Sequence, residues 1–77
     1  MPRYYFDIND DQFSIVDTHG TDLSGLEAAK KEAVMIATSI ARDIFPSGGG
    51  ASVRINVRDE HTRLFTATVA LQLTELK

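Results

Sequence analysis

The chain has 77 residues, no cysteine and a formal net charge of −3 at pH 7. This length allows one domain, residues 1–77, and small domains usually need a disulfide, a metal or a partner chain to supplement their core. The lack of cysteine excludes disulfides and thiolate metal sites, and the acidic balance argues against broad nucleic-acid binding. Self-association is therefore the expected source of additional stability.

The sequence contains no segment close to the roughly 18 apolar residues of a membrane span. The first residues also lack the apolar core of a secretory signal. We therefore expect a cytoplasmic bacterial protein that does not contact a membrane.

Alternating apolar residues near the start predict a β-hairpin. Tyr4, Phe6 and Ile8 alternate with polar residues in a first strand, and residues 12–16 form a second, shorter one. The stretch 9–11, Asn-Asp-Asp, has the short polar side chains that favour a turn.

The middle of the chain predicts one long helix. Ser24 and Glu27 have the spacing of a capping box, and the helix then runs to about Phe45, where Pro46 stops it. Residues 47–50, Ser-Gly-Gly-Gly, form a flexible connector. The predicted apolar stripe consists of Leu26, Ala29, Ala33, Ile36, Ala37, Ile40 and Ile44.

Two further strands follow the helix. Residues 52–58 alternate, residues 59–62 have the composition of a polar turn, and the alternation resumes over residues 63–75. Strands average about 5–6 residues, so a strand from Arg63 to Glu75 would extend beyond any partner in so small a domain. Its unpaired backbone is a candidate binding edge.

The predicted fold class is α+β, a two-layer ββαββ sandwich. Its four-stranded, mostly antiparallel sheet would carry the helix on one face. A right-handed crossover from the second strand to the third favours the strand order 2-1-3-4, which places the fourth strand at an edge.

The sheet face opposite the helix is the candidate interaction face. We expect a protein partner on this face or on the fourth-strand edge. Tyrosine with arginine on an open sheet also resembles the stacking surface of single-strand RNA binders, so nucleic-acid binding is the alternative. The candidate residues are Arg3, Tyr5, Arg54, Arg58, Thr66, Thr68, Ala70 and Gln72, of which the four named first would carry the nucleic-acid alternative.

Catalysis has little support in the sequence. His19 and His61 lie near Asp17 and Asp59, as a possible acid–base pair would require, but no nucleophile motif accompanies them. Two histidines also cannot form a closed zinc site without carboxylates. We predict no catalytic residue, no metal and no cofactor.

Three segments of the chain resemble a known family. These are the opening Met-Pro-Arg-Tyr-Tyr-Phe-Asp of residues 1–7, the pair Asp17-x-x-Gly20, and Leu26-x-x-Ala29-x-x-x-Ala33 in the predicted helix. The chain resembles small proteins of unassigned function that are common in rhizobia and related alphaproteobacteria. A weaker likeness is to HicB-type antitoxin domains, which have a third strand before the helix and an attached DNA-binding segment.

The pattern as a whole predicts a non-enzymatic protein-interaction or regulatory module of unassigned cellular role. It would form a homodimer or bind another protein. The resemblance implies a bacterial origin and a single domain, and it supplies no functional residue.

Overall fold

A computed structural model describes residues 1–48 and 50–77. Within them the elements are β1 (Arg3–Asp10), β2 (Ser14–Ile15), β3 (Thr21–Asp22), α1 (Leu26–Ile44), β4 (Ser52–Arg58) and β5 (Arg63–Ala70). The α+β prediction of one helix against an antiparallel sheet is confirmed, but the described residues form five strands rather than four. Gly49, in the predicted glycine connector, lies outside the described residues.

The sheet is open and every recorded pairing is antiparallel. Its strand order is β2-β1-β4-β5, and β3 pairs with the start of β1 on the side where β2 pairs further along. The predicted 2-1-3-4 order is therefore confirmed for the four strands that the sequence indicated. It places β5 at an edge.

The core lies between α1 and the sheet. Helix α1 packs mainly on β4 and β5, and its Ala29, Ala33 and Ala37 are fully buried. Small side chains on this face allow the helix axis to approach the sheet closely. The sheet contributes Tyr4 and Phe6 from β1, and Val53, Ile55 and Val57 from β4.

The start of α1 differs from the prediction. The N-cap residue is Gly25 in an extended conformation, and no side chain caps the helix. The predicted capping box is wrong because Ser24 lies one residue before the N-cap position. Glu27 instead forms a 3.3 Å ion pair with Lys30. None of the described residues belongs to a helix long and apolar enough to span a membrane.

Strand β5 ends at Ala70, so the predicted strand to Glu75 is wrong. The last paired residues are Ser52 and Ala70, after which the Leu71 amide donates to the Ala51 carbonyl at 2.8 Å. Strand β4 begins at Ser52, and residues 72–77 therefore have no strand to pair with. Gln72, a predicted face residue, lies beyond the sheet.

The second strand is shorter than predicted, with two residues instead of five. The turn before it lies later than predicted, because Asn9 and Asp10 still belong to β1; the Asp10 carboxylate accepts the Gln12 and Phe13 amides at 2.7 and 2.9 Å. The unpredicted β3 follows a second turn and pairs Thr21 with Tyr4.

Candidate functional site

The candidate site is the sheet surface opposite α1, here called the outer face. The register aligns side chains across its strands, because residues paired in an antiparallel sheet point to the same side. Asp7, Asn56 and Thr66 form one row, and Asn9, Arg54 and Thr68 form the next. This face is polar, in contrast to the apolar face beneath the helix.

The Arg58 side chain, at one end of the outer face, makes its contacts with other residues of the same chain. Its Nε donates to Asp7 Oδ2 at 2.8 Å, and its Nη2 donates to the Asp17 carbonyl at 2.9 Å. The guanidinium lies over the Tyr5 ring, 4.6 Å from the ring centroid. These contacts join β4, β1 and the turn that follows β2, so Arg58 has a structural role.

Asp17 connects this network to the edge of β1. Its Oδ2 accepts the Phe6 amide at 3.1 Å, and its Oδ1 accepts the amides of His19 and Gly20, both at 3.0 Å. The Asp17 amide in turn donates to Asp7 Oδ1 at 2.9 Å. The Asp17 side chain thus accepts hydrogen bonds from backbone amides that have no neighbouring strand to pair with.

These contacts lower the pKa values of both carboxyl groups. Burial acts to raise the pKa of Asp17, but the amides of Gly20, Phe6 and His19 outweigh it. Burial likewise acts to raise the pKa of Asp7, and the Arg58 hydrogen bond and the Asp17 amide outweigh it. The hydrogen bond that Arg58 donates to Asp7 raises the pKa of Arg58. The charged forms of all three groups are therefore favoured by folding.

Gly20 completes the turn that Asp17 begins. Its φ of +75° lies in the left-handed region, and an added Cβ would come 2.8 Å from Arg3 Cγ and 2.9 Å from Tyr5 Cε2. Arg3 lies across this turn, donating to the His19 carbonyl at 2.6 Å and pairing with Asp22 at 3.2 Å. The Asp17-x-x-Gly20 motif therefore has a structural explanation.

The predicted face residues fall into two groups. Arg3, Tyr5, Arg58 and the Thr66 hydroxyl are engaged in contacts within the chain, whereas Arg54 and Thr68 are exposed on the outer face. The remaining two residues lie at or beyond the end of β5: Ala70 and Gln72.

A hollow of about 380 Å³ occupies the outer face and was not predicted from the sequence. Asn9, Ser14 and Arg63 line it, together with Asp7 and the predicted Arg58 and Thr66. The feature that could have identified Asn9, Ser14 and Arg63 in advance is the strand register, which brings residues of three different strands to one place.

The two histidines do not form a joint site. His61 lines a hollow with residues of the chain start, and His19 lines another beside β2. The Asp59 carboxylate accepts the amides of His61 and Thr62 at 2.8 and 2.7 Å, which lowers the pKa of Asp59. Among the described residues no three histidine, aspartate or glutamate side chains are placed to hold a metal.

The three segments that carried the family resemblance are thus accounted for by the β1–turn network and the helix. The model of a family described as Domain of unknown function (DUF6894) matches residues 3–70. The chain belongs to this family. The match spans all five strands and α1 and ends with β5. No curated protein matches the chain, and no solved structure does.

Proposed function

We propose that the protein is a non-enzymatic interaction module that forms a homodimer by antiparallel pairing of β5 with β5 of a second copy. The observation that carries the proposal is the position of β5, which pairs with β4 on one side and is the last strand of an open sheet on the other. Exposed strand edges of this kind favour strand addition.

The direction of the β5 amides defines which residues would pair. The Leu71 amide points toward β4, because it donates to the Ala51 carbonyl. Amides alternate in direction along a strand, so those of Phe65, Ala67 and Val69 also point toward β4. The amides of the intervening even-numbered residues point toward the open edge: Thr66, Thr68 and Ala70.

The residues after β5 support the same interface. The apolar alternation of β5 continues beyond its end, yet Leu71 is 46% exposed and Leu73 is 82% exposed. Antiparallel pairing centred on Val69 would place Leu71 opposite Ala67 of the second copy and Leu73 opposite Phe65. All four side chains would lie on the core side of the joined sheet, because side-chain direction has a period of two.

Helix α1 provides a further apolar residue on this side. Ile36 lies on the flank that faces β1 and β2, since it lines a hollow with Phe6, Ile8 and Ile15. Val34 lies about 160° around the helix from Ile36, on the flank toward β5. Its side chain is 53% exposed, and a second copy at the β5 edge would contact it.

A proline at position 68 tests the proposal. Thr68→Pro removes an amide that points to the open edge and keeps the bonds to β4, so the variant should fold and be monomeric. Thr68→Ala keeps the amide and should remain a dimer. Val69→Pro removes an amide that points toward β4 and should destabilise the fold itself. Analytical ultracentrifugation reports the mass, and circular dichroism reports folding.

Two results would contradict the homodimer. One is a wild-type protein that is monomeric at about 100 μM, a concentration at which even a micromolar dimer is saturated. The other is a folded Thr68→Pro variant that remains a dimer with the wild-type affinity.

Nucleic-acid binding stays the alternative proposal, with less support. Three of its four residues, Arg3, Tyr5 and Arg58, are engaged within the chain, which leaves Arg54. Arg58 covers one face of the Tyr5 ring, and this disfavours base stacking because stacking requires an accessible ring face. Single-strand affinity that falls steeply with salt would favour this alternative.

A further inference from the structure

We propose that the outer-face hollow binds the oxyanion of a small carboxylate or phosphate. The hollow spans β1, β2, β4 and β5 and has a volume of about 380 Å³. This volume suits a small molecule. Val16 and Leu64 contribute apolar lining, and Asp7, Asn9 and Asn56 contribute polar groups.

The carboxylate and side-chain amide oxygens in the hollow already have donors. Asp7 Oδ1 accepts the Asp17 amide, and its Oδ2 accepts Arg58 Nε. Asn9 Oδ1 accepts the Ser14 hydroxyl at 2.8 Å. Asn56 Oδ1 accepts the Thr66 hydroxyl, also at 2.8 Å. A ligand would therefore meet few vacant acceptors here.

The groups still able to donate are the amide NH₂ groups of Asn9 and Asn56 and the guanidinium of Arg63. Within residues 1–48 and 50–77, the recorded hydrogen bonds and ion pairs use none of these donors. All three residues line the same hollow. A ligand rich in acceptors complements such a set of donors.

Arg58 and Arg63, the two arginines of the hollow, favour a negatively charged ligand. The register pairs Arg58 with Arg63 across β4 and β5, at a β-bulge. Like charges at paired positions are destabilising. Asp7 neutralises Arg58, whereas Arg63 has no carboxylate partner among the described residues. An anion beside Arg63 would relieve this imbalance, and guanidinium binds carboxylate and phosphate with matched geometry.

The test is a titration of the full chain followed by the shifts of backbone amide NMR signals. Inorganic phosphate and citrate are added separately at constant ionic strength, with chloride as the reference. We expect saturable shifts at Asn56, Arg63 and Thr66 with one or both anions. Saturation by phosphate alone or by citrate alone identifies the ligand class, and either result supports the site.

Three variants locate the binding. Arg63→Gln removes the unpaired cation and should weaken binding by about tenfold or more. Asn56→Asp still accepts the Thr66 hydroxyl but replaces the donor with a negative charge, so it should abolish binding while the fold is retained. Arg54→Gln is the matched control, because Arg54 is on the same face but does not line the hollow, and it should bind as wild type does.

The proposal is overturned if neither anion gives saturable shifts, or if Arg63→Gln and Arg54→Gln bind equally well. It is also overturned if a single-stranded oligonucleotide shifts these signals and neither small anion does. The site lies within one chain, so a monomeric Thr68→Pro variant should bind the anion as the wild type does.

Discussion

The carboxylate of Asp17 accepts the backbone amide of Phe6 at 3.1 Å and occupies the place of a neighbouring strand. Strand β3 pairs with β1 at Arg3 and Tyr4, and β2 pairs with it at Ile8 and Asn9. Phe6 lies between these two short pairings. A side chain therefore fills the gap in this edge of the sheet, which consists of two strands of two residues each, whereas β5 forms the opposite edge with eight residues.

Replacement of Asp17 by alanine should destabilise the fold. The change leaves the amides of Phe6, His19 and Gly20 without their acceptor, and unsatisfied donors of this kind cost about 1–3 kcal/mol. Urea unfolding measures the loss. Thr18→Ala, at an exposed position in the same turn, is the control and should stay within about 0.5 kcal/mol of wild type.

Stability should fall in acid through Asp7 and Asp17. Both pKa values are lower in the folded protein than usual, so the unfolded state binds protons first as the pH falls. The contribution of Asp7 and Asp17 to the free energy of unfolding is complete above the ordinary aspartate pKa of about 3.9. It is lost as the pH falls from there through their folded-state pKa values. Urea unfolding between about pH 2.5 and about pH 7 measures the slope. An Asp7→Asn, Asp17→Asn double variant with an unchanged slope would contradict this assignment.

Alanine at position 20 should cost stability for two reasons. Gly20 has a positive φ, and a Cβ there would meet Arg3 and Tyr5 at less than 3 Å. We expect a loss of about 1–3 kcal/mol, measured by thermal or urea unfolding. Gly25→Ser is the matched control, because nothing lies within 4 Å of its added Cβ and serine is a favourable N-cap residue. Equal losses in the two variants would argue against the close packing of Gly20.

Enlargement of a helix alanine should separate α1 from the sheet. Ala37 is fully buried, so Ala37→Leu overpacks the interface and should cost about 1–3 kcal/mol. Ser39→Leu adds a similar side chain at an exposed helix position and should have little effect. Denaturant unfolding compares them. An Ala37→Leu variant as stable as wild type would contradict the close packing of α1 on the sheet.

A charge at Leu73 should affect association and leave folding unchanged. The side chain is 82% exposed in the single chain, and in the proposed dimer it would lie on the core side beside Phe65 of the second copy. Leu73→Asp should therefore weaken the dimer by at least about 1.5–3 kcal/mol, the value of one buried leucine. Thr74→Asp adds the same charge on the opposite side of the segment and should dimerise as wild type does. Sedimentation equilibrium measures both, and equal affinities would contradict the arrangement.

Local patterns predicted the long elements well. The period-two alternation around Val53, Ile55 and Val57 and the helical stripe through Ala29 and Ala33 each determined which face is buried. The chain order and the right-handed crossover then sufficed for the strand order. These signals are local or follow from chirality, so they can be read without coordinates.

The strand predictions were wrong where a segment distant in the sequence decides the structure. Alternation alone predicted a strand to Glu75, but β4 begins at Ser52 and offers no strand residue to pair with after Ala70. Strand β3 has only two residues, too few for a periodic signal, and forms because the Asp17 turn brings Thr21 to Tyr4.

The sequence by itself determined an acidic, cysteine-free α+β domain with one amphipathic helix, and it identified the segments that carry the family motif. Only the tertiary structure showed that Asp17, Gly20 and Arg58 serve the fold, and that Asn9, Asn56 and Arg63 meet in one hollow. The reason is physical: hydrophobic periodicity is a property of neighbouring residues, whereas hydrogen bonds and unpaired charges depend on residues that folding brings together from distant parts of the chain.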